Sequence, residues 1–345
     1  MAGMTQTRTL RPFLLPFVPV YRFGLRLRET RLWRSWEPTR RLQYPVISIG
    51  NLSTGGSGKT PFVIALTRLL MTRGFHVDVL SRGYGRNSQS AARVRPEGTA
   101  EEFGDEPLLI ASETGAEVYV APQRYDAGQI AEAYFGAGHP SHERNLAVHI
   151  LDDGFQHRQL VRDIDLVLLN YDDWHDRLLP AGNLREPVRV LGRADCVVIP
   201  ADQSGLEAEL RARGYIGAVW RIHRCVDVPV VNGPAAAFCG IARPEQFFAG
   251  LEAASLRLTA RSAFHDHHRY TSNDVAQLVS AARASGASAL ITTEKDHVRL
   301  GHLLSEFPEE LPLRTARLKI EIEDQNSAID WLAARLATRS VAPSL

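Results

Sequence analysis

Ser53-Thr54-Gly55-Gly56-Ser57-Gly58-Lys59-Thr60 is the stretch of this 345-residue chain on which the rest of the reading depends. It follows the apolar run Val46-Ile47-Ser48-Ile49 and leads into Pro61 and an apolar segment from Phe62 to Met71. Strand, glycine-rich turn and helix, in that order, turn backbone N–H groups toward a nucleotide's phosphates. Gly55, Gly56, Ser57 and Gly58 would form the cradle, Lys59 would reach the β- and γ-phosphates, and the Thr60 hydroxyl would hold Mg²⁺. The first glycine of the G-x-x-x-x-G-K-[ST] pattern is Ser53 here, but the remaining glycines still permit a tight turn open to phosphate. An ordinary glycine-rich βα loop is the bland alternative. The reading taken is an enzyme that binds ATP or GTP.

Beyond this loop, apolar strand-like segments near 75–81, 117–121, 145–151, 164–169 and 195–199 recur, with helical stretches at 123–135 and 206–214. Such alternation predicts an α/β fold with a mostly parallel sheet covered on both faces. Ligands of these sheets gather at the carboxyl ends of the strands, which puts the loops after Ile49, Leu80 and Ile150 on one rim. A Val- and Pro-rich passage, Val226 to Pro234, precedes a second, smaller α/β unit. Its expected strands lie at 235–240, 256–260, 289–292 and 317–322, and its helices at 244–254, 275–283 and 328–337. The expected division is an arm at 1–38, a nucleotide-binding core at 39–223 and a second domain at 224–345. A cleft between two lobes suits phosphoryl transfer, because closure excludes water.

The near-neutral total charge of +1 hides a polarised chain. The first 41 residues carry nine Arg, no Lys and two acids, so this arm sums to +7 and the remainder to about −6. Its apolar run Phe13 to Tyr21 is broken by Pro16 and Pro19 and is too short to span a bilayer. From Tyr21 the pattern suits a helix with Phe23, Leu27 and Thr30 on one face. Leu25, Leu32, Trp33 and Trp36 widen the apolar side, and arginines line its edges. Arg with Trp and Phe fits the interface of an anionic bilayer, whereas a helix packed on its own domain is the plainer reading. No basic run continues into the body, which argues against a nucleic-acid partner, and nothing implies an obligate protein partner. Cys196, Cys225 and Cys239 have no ligand-like spacing.

Other segments carry candidate chemistry. Asp152 and Asp153, in Leu151-Asp152-Asp153-Gly154-Phe155-Gln156-His157, follow an apolar strand and could bind Mg²⁺ directly or through water. Adjacent acids diverge on an extended backbone, so unequal roles are expected. Arg82 and Tyr84 in Ser81-Arg82-Gly83-Tyr84-Gly85, Arg124 after Pro122-Gln123, and Arg185 in Gly182-Asn183-Leu184-Arg185-Glu186-Pro187 are candidates for binding an anionic substrate. Asp105 in Gly104-Asp105-Glu106-Pro107 and His267 in Asp266-His267 could form an Asp–His pair that removes a hydroxyl proton. The residues alone leave a surface or helix-capping role equally open for each.

Together these segments resemble the tetraacyldisaccharide 4′-kinase family, the lipid A kinases of Gram-negative bacteria. The likeness includes Gly50-Asn51, Pro180 to Pro187 and Thr293-Glu294-Lys295-Asp296, and it runs in order along nearly the whole chain. The resemblance implies MgATP-dependent phosphorylation of the 4′-hydroxyl of an acylated disaccharide 1-phosphate at the cytoplasmic face of the inner membrane. It also implies two α/β/α domains joined by a two-stranded linker, with a monotopic or peripheral amino-terminal helix against anionic lipids. The family's catalytic Asp corresponds to Asp105 and its His partner to His267, while Glu294-Lys295-Asp296 carries over only as cleft structure. A P-loop NTPase using water, or a membrane-associated nucleotide switch, is the alternative function.

Overall fold

The computed structural model describes residues 11–33, 39–56, 58–138 and 146–339. Its strands are β1 (Val46–Asn51), β2 (His76–Ser81), β3 (Ala92–Arg93), β4 (Glu117–Val120), β5 (Ala147–Asp152), β6 (Ile164–Leu168), β7 (Cys196–Pro200), β8 (Ala218–Asp227), β9 (Ala235–Cys239), β10 (Leu258–Ala263), β11 (Ala289–Thr293) and β12 (Leu313–Ile322). They lie in the order β10-β9-β11-β12-β8-β7-β6-β1-β5-β2-β4-β3. The α/β reading is correct, and the lobes share a continuous run of neighbouring strands.

In the first lobe β1 pairs in parallel with β5 and β6, and every residue of β1 is buried. Two covered faces explain why Val46 to Ile49 reads as a nearly unbroken apolar run rather than an alternating one. The helix Lys59–Thr72 lays Phe62, Val63, Leu66 and Leu70 on one side of this sheet. Their spacing of three to four residues makes one stripe, and each such side chain contributes about 1.5–3 kcal/mol on burial. The carboxyl ends of β1, β2 and β5 open on one rim, as expected.

The lobes meet through two long strands. Residues 218–222 of β8 pair in parallel with β7, and residues 222–227 pair antiparallel with 317–322 of β12. The start of β12 pairs in parallel with β11 in the second lobe. This two-stranded ribbon is the connection the resemblance implied, and the expected division at 223/224 falls inside β8. The expected strand at 256–260 lies instead at Leu258–Ala263, and the strand expected at 317–322 is the second half of a ten-residue one.

At the amino end, a 3₁₀ turn at Pro12–Phe17 runs into the helix Val18–Trp33, which begins before the expected Tyr21. Pro19 lies in its first turn, where a missing N–H costs no helical bond. Val18, Tyr21 and Leu25 pack against the cluster holding Leu52, Phe155 and Leu184. Leu25 therefore faces the domain rather than widening the outer face. Phe13, Phe17, Val20, Phe23 and Leu27 remain exposed, the first at 74%. The side chains of Leu32 and Trp33, and all of Trp36, lie outside what the structure describes. Among the described residues no helix is long and apolar enough to cross a membrane.

Candidate active site

The first piece of the site is the turn that ends β1. Gly58 caps the helix Lys59–Thr72 with φ +83°, a conformation that L side chains resist. A Cβ there would also lie 3.0 Å from Arg224 Nη2, so glycine lets the ribbon's arginine approach the helix N-terminus. Lys59 stands at the first helical position and Thr60, buried, at the second. Ser57 lies outside the described residues, and Gly55 and Gly56 form an exposed turn.

Lys59 Nζ donates to Asn51 Oδ1 at 2.9 Å and sits 3.5 Å from Asp153. Arg185 donates from Nη1 and Nη2 to the two Asp153 oxygens at 3.0 and 2.9 Å, and from Nη2 to Asn51 Oδ1 at 2.6 Å. The sequence offers Arg185 as a candidate for binding an anionic substrate. Its guanidinium lies with Lys59 and Asp153 at the phosphate-loop end. Asn51 and Gln156, whose amide donates to Asn51 O at 2.8 Å, are site residues that were not singled out. The amino-terminal helix reaches the same cluster, because Tyr21 donates to Arg185 O at 2.9 Å and Arg28 to Gln156 O at 3.0 Å.

Asp152 and Asp153 do diverge. Asp153 takes φ +49°, and together Lys59 and Arg185 outweigh its burial and hold its carboxyl far below the usual range. Asp152 is buried and accepts the Ser81 hydroxyl at 3.1 Å on Oδ2. Burial, then the neighbouring Glu106 and Asp153 charges, push its carboxyl up to about 7. Its Oδ1 has no hydrogen-bond partner. A buried orphan carboxylate oxygen fits a cation, so Asp152 and the Thr60 hydroxyl are suitable to hold Mg²⁺. Among the described residues there is no cluster of three or more His, Cys, Asp or Glu side chains fit to hold a metal by themselves. Such a sparse donor set suits an ion that keeps waters and phosphate oxygens as ligands.

Arg124 is buried at the start of the helix Arg124–Gly138, with Nη1 on Pro122 O at 3.2 Å and Nε without a partner. Arg82 is exposed on the same rim. Burial and the surrounding arginines, Arg124 foremost, push His157 down to about 4, so this imidazole is neutral at physiological pH.

The second piece spans the cleft. Asp105 begins the helix Asp105–Thr114 after Gly104, whose φ is +92°. A Cβ on Gly104 would fall 2.9 Å from Tyr84 O, so glycine permits the Asp105 turn to rest on the Gly83-Tyr84 backbone. From the second lobe, His267 Nδ1 meets Asp105 Oδ2 at 3.1 Å, across 162 residues of chain. His267 holds φ +58°, and Tyr84's ring centroid lies 5.3 Å from its own. Left-handed backbone at non-glycine positions costs energy and clusters at functional sites, and Asp153 and His267 are two of the three such residues among those described. The sequence-expected pair is therefore in contact.

Three partners were not anticipated. Arg299, in the helix Glu294–Leu300, donates from Nε to Asp105 Oδ2 at 2.8 Å and also from Nη2 to the same oxygen. Lys295 pairs with Glu106 across the cleft. Asp296, fully buried, accepts from Gly240 N at 3.0 Å and from the Thr293 hydroxyl at 2.6 Å. Lys295 and Asp296 belong to the segment expected only as cleft structure. Beside Asp105 and His267 opens a cavity of about 300 Å³, lined by Tyr84, His268, Arg269 and His302 among others.

Comparison with known proteins gives a uniform result. The family model "Tetraacyldisaccharide-1-P 4′-kinase" matches residues 10–337. A tetraacyldisaccharide 4′-kinase from Koribacter versatilis is 41% identical over 325 residues, covering 91% of this chain and 96% of that protein. One from Pelobacter propionicus is 36% identical over 356 residues, covering 94% and 92%. The crystal structure of LpxK from Aquifex aeolicus in complex with ATP superposes with a TM-score of 0.72 at 30% identity, covering 94% of this chain and 99% of that one.

Proposed function

The chain belongs to the tetraacyldisaccharide 4′-kinase family, and from that premise we propose that it transfers the γ-phosphate of ATP to the 4′-hydroxyl of a tetraacyldisaccharide 1-phosphate. The observation that carries this reading is the contact of Asp105 with His267 of the second lobe, with Asp105 on a helix that packs against the phosphate-loop helix bearing Lys59.

The helix Lys59–Thr72 aims its N-terminal amides at the phosphates, and Lys59 neutralises charge on the transferring group. Arg185 and Arg124 add fixed positive charge beside it. Asp152 and Thr60 would hold Mg²⁺, which would supply positive charge to offset that of the phosphates. Asp105 orients the acceptor hydroxyl. Its Oδ2 is occupied by Arg299 and His267, while Oδ1 accepts the Glu106 amide at 3.0 Å and keeps lone-pair capacity for the hydroxyl. The His267 bond and the Arg299 charge outweigh burial and hold this carboxyl far below the usual range, which makes it a weak base. That suits a loose transition state, in which the hydroxyl proton leaves late and orientation matters more than basicity. The proton passes to Asp105 after the new P–O bond has largely formed.

The outward Phe13, Phe17, Val20 and Phe23, flanked by Arg22 and Arg26, support seating of the amino-terminal helix in the interface of an anionic membrane. The acceptor then reacts while its acyl chains stay in lipid. The domain reading, an arm at 1–38 and lobes at 39–223 and 224–345, belongs to the same proposal. Acceptor-dependent ADP release in detergent separates this kinase from a water-using NTPase and from a nucleotide switch. ADP release independent of the lipid acceptor would reject it.

A further inference from the structure

We propose that Arg299 is a positioning residue for phosphoryl transfer, reaching from the second lobe to hold the Asp105 carboxylate in one orientation with Oδ1 turned to the acceptor. The inference rests on the reading of Asp105 as proton acceptor and extends it.

Arg299 is almost wholly buried, with its side chain 5% exposed against 6% for Asp105. Every nitrogen of its fork is committed. Nε and Nη2 both donate to Asp105 Oδ2, while Nη1 donates to Asp296 Oδ1 at 3.0 Å and to Gly240 O. Asp296 is anchored in turn by Gly240 N and the Thr293 hydroxyl. A chain of charge-assisted bonds therefore runs from the end of β9 through Asp296 and Arg299 to the carboxylate of the other lobe. A planar fork of this kind fixes orientation as well as charge, which a lysine cannot do.

The geometry also divides labour with His267. Arg299 Nη2 lies 3.2 Å from His267 Nδ1, and Nδ1 cannot both donate to Asp105 and accept from Arg299. With Nδ1–H directed at Oδ2, two cationic or polar donors converge on one oxygen, and Arg299 supplies the contacts that survive if the imidazole turns. The groups facing Asp105 are Glu106 on its own helix, His267 on the loop before the helix Ser272–Ala284, and Lys295 and Arg299 on the helix Glu294–Leu300, while Asp266 and Asp296 face Arg299. Of the cations, Arg299 alone touches the carboxylate with two nitrogens. Both lobes must be apposed for this contact to exist, so a reactive Asp105 reports closure of the cleft.

The test compares wild type, Arg299→Lys, Arg299→Met and Asp105→Asn in γ-phosphate transfer to acylated disaccharide 1-phosphate in detergent, across pH and at saturating Mg²⁺, with MgATP affinity measured separately. Arg299→Met is expected to lose about 10²-fold in kcat, the scale of a small misplacement of a reacting group, with MgATP affinity nearly unchanged. Its rate should also show an acid limb displaced to higher pH than in wild type, because loss of an adjacent cation raises a carboxyl by about 1–3 units. Arg299→Lys should keep the wild-type acid limb yet remain below wild type in kcat. Arg299→Met with wild-type kcat, or with lowered kcat and no displaced acid limb, overturns the proposal. If Arg299→Met does not fold, Arg299→Lys decides: full wild-type kcat overturns it, and lowered kcat at unchanged KM supports it. Wild-type turnover in Asp105→Asn would instead defeat the proton-acceptor reading beneath it.

Discussion

Replacing Asp105 by Asn probes the cleft with little change in volume. Asp105 Oδ2 receives Arg299 Nε at 2.8 Å and His267 Nδ1 at 3.1 Å, and Oδ1 receives the Glu106 amide at 3.0 Å. An asparagine can turn its single oxygen to only one of these sides. Charge-assisted bonds are the stronger, so the oxygen stays with Arg299 and the NH₂ faces the Glu106 amide and the acceptor hydroxyl. A donor then stands where an acceptor is needed. Loss of a proton acceptor typically costs about 10²–10⁴-fold, or about 3–5.5 kcal/mol of barrier. The buried Arg299 charge also loses one of its two close counter-ions but keeps Asp296, so the stability cost falls below the about 3–5 kcal/mol of a buried charge left without a partner. Steady-state transfer to detergent-dispersed acceptor, with a thermal melt and a MgATP-binding isotherm on the same sample, separates the effects. Turnover should collapse while nucleotide affinity stays within about threefold, since the nucleotide contacts proposed are Lys59 and the phosphate loop. Adding His267→Ala to Asp105→Asn should cost less than the product of the single losses, because the two act on one oxygen. Turnover within tenfold of wild type, or fully multiplicative losses, would refute the reasoning.

Lys59→Ala should lower transfer by about 10²–10³-fold in a protein whose melt is little changed; near-normal turnover, or a loss matched by unfolding, rejects Lys59 as the phosphate cation. Asp152 has its carboxyl raised to about 7 by burial and neighbouring acids, so protons compete with Mg²⁺ there and apparent Mg²⁺ affinity should weaken as pH falls from 8 to 6; a flat dependence removes Asp152 from the metal site. For the same group the folded value exceeds the unfolded one, so the chelated protein binds more protons than the unfolded chain between pH 3.8 and about 7 and loses stability as pH rises through that window. Asp152→Asn should therefore raise the melting temperature of chelated protein at pH 8 while abolishing the Mg²⁺ response, and an unchanged melt contradicts the burial argument. Phe17→Asp with Phe23→Asp should weaken binding to anionic liposomes by at least about tenfold for each phenylalanine, because burying each contributes about 1.5–3 kcal/mol, without unfolding the body. Full binding by this variant would rule out the outer face of the helix as the membrane contact.

The parts legible in the sequence were those whose physics is local. A phosphate loop needs its strand, glycines, Lys59 and Thr60 within a dozen residues, and the strand periodicity around β1, β2 and β5 follows from burial on both faces. The Asp105–His267 pair could be named only through family likeness, since 162 residues separate its members. Arg299 escaped notice because nothing nearby marks it: its partner Asp105 is 194 residues away, and the local pattern reads as an ordinary short helix. The ribbon strand β8 was hidden for a related reason. Its outer half, His223 to Asp227, has only a second strand beside it, so its side chains are largely exposed and show no apolar run. In the amino-terminal helix, hydrophobicity alone could not tell Leu25, which packs on the body, from Phe23, which does not. Both are apolar, and only the position of the rest of the molecule distinguishes them.

The central claim is that this chain phosphorylates one hydroxyl of a lipid-embedded disaccharide. The most direct measurement is single-turnover transfer of labelled γ-phosphate to purified tetraacyldisaccharide 1-phosphate in detergent, with the product's attachment site read by ¹H–³¹P correlation. The account predicts one new phosphomonoester, coupled to the proton at the 4′ position, formed in proportion to ADP. Label appearing only as inorganic phosphate, or a phosphomonoester at another position, would contradict it.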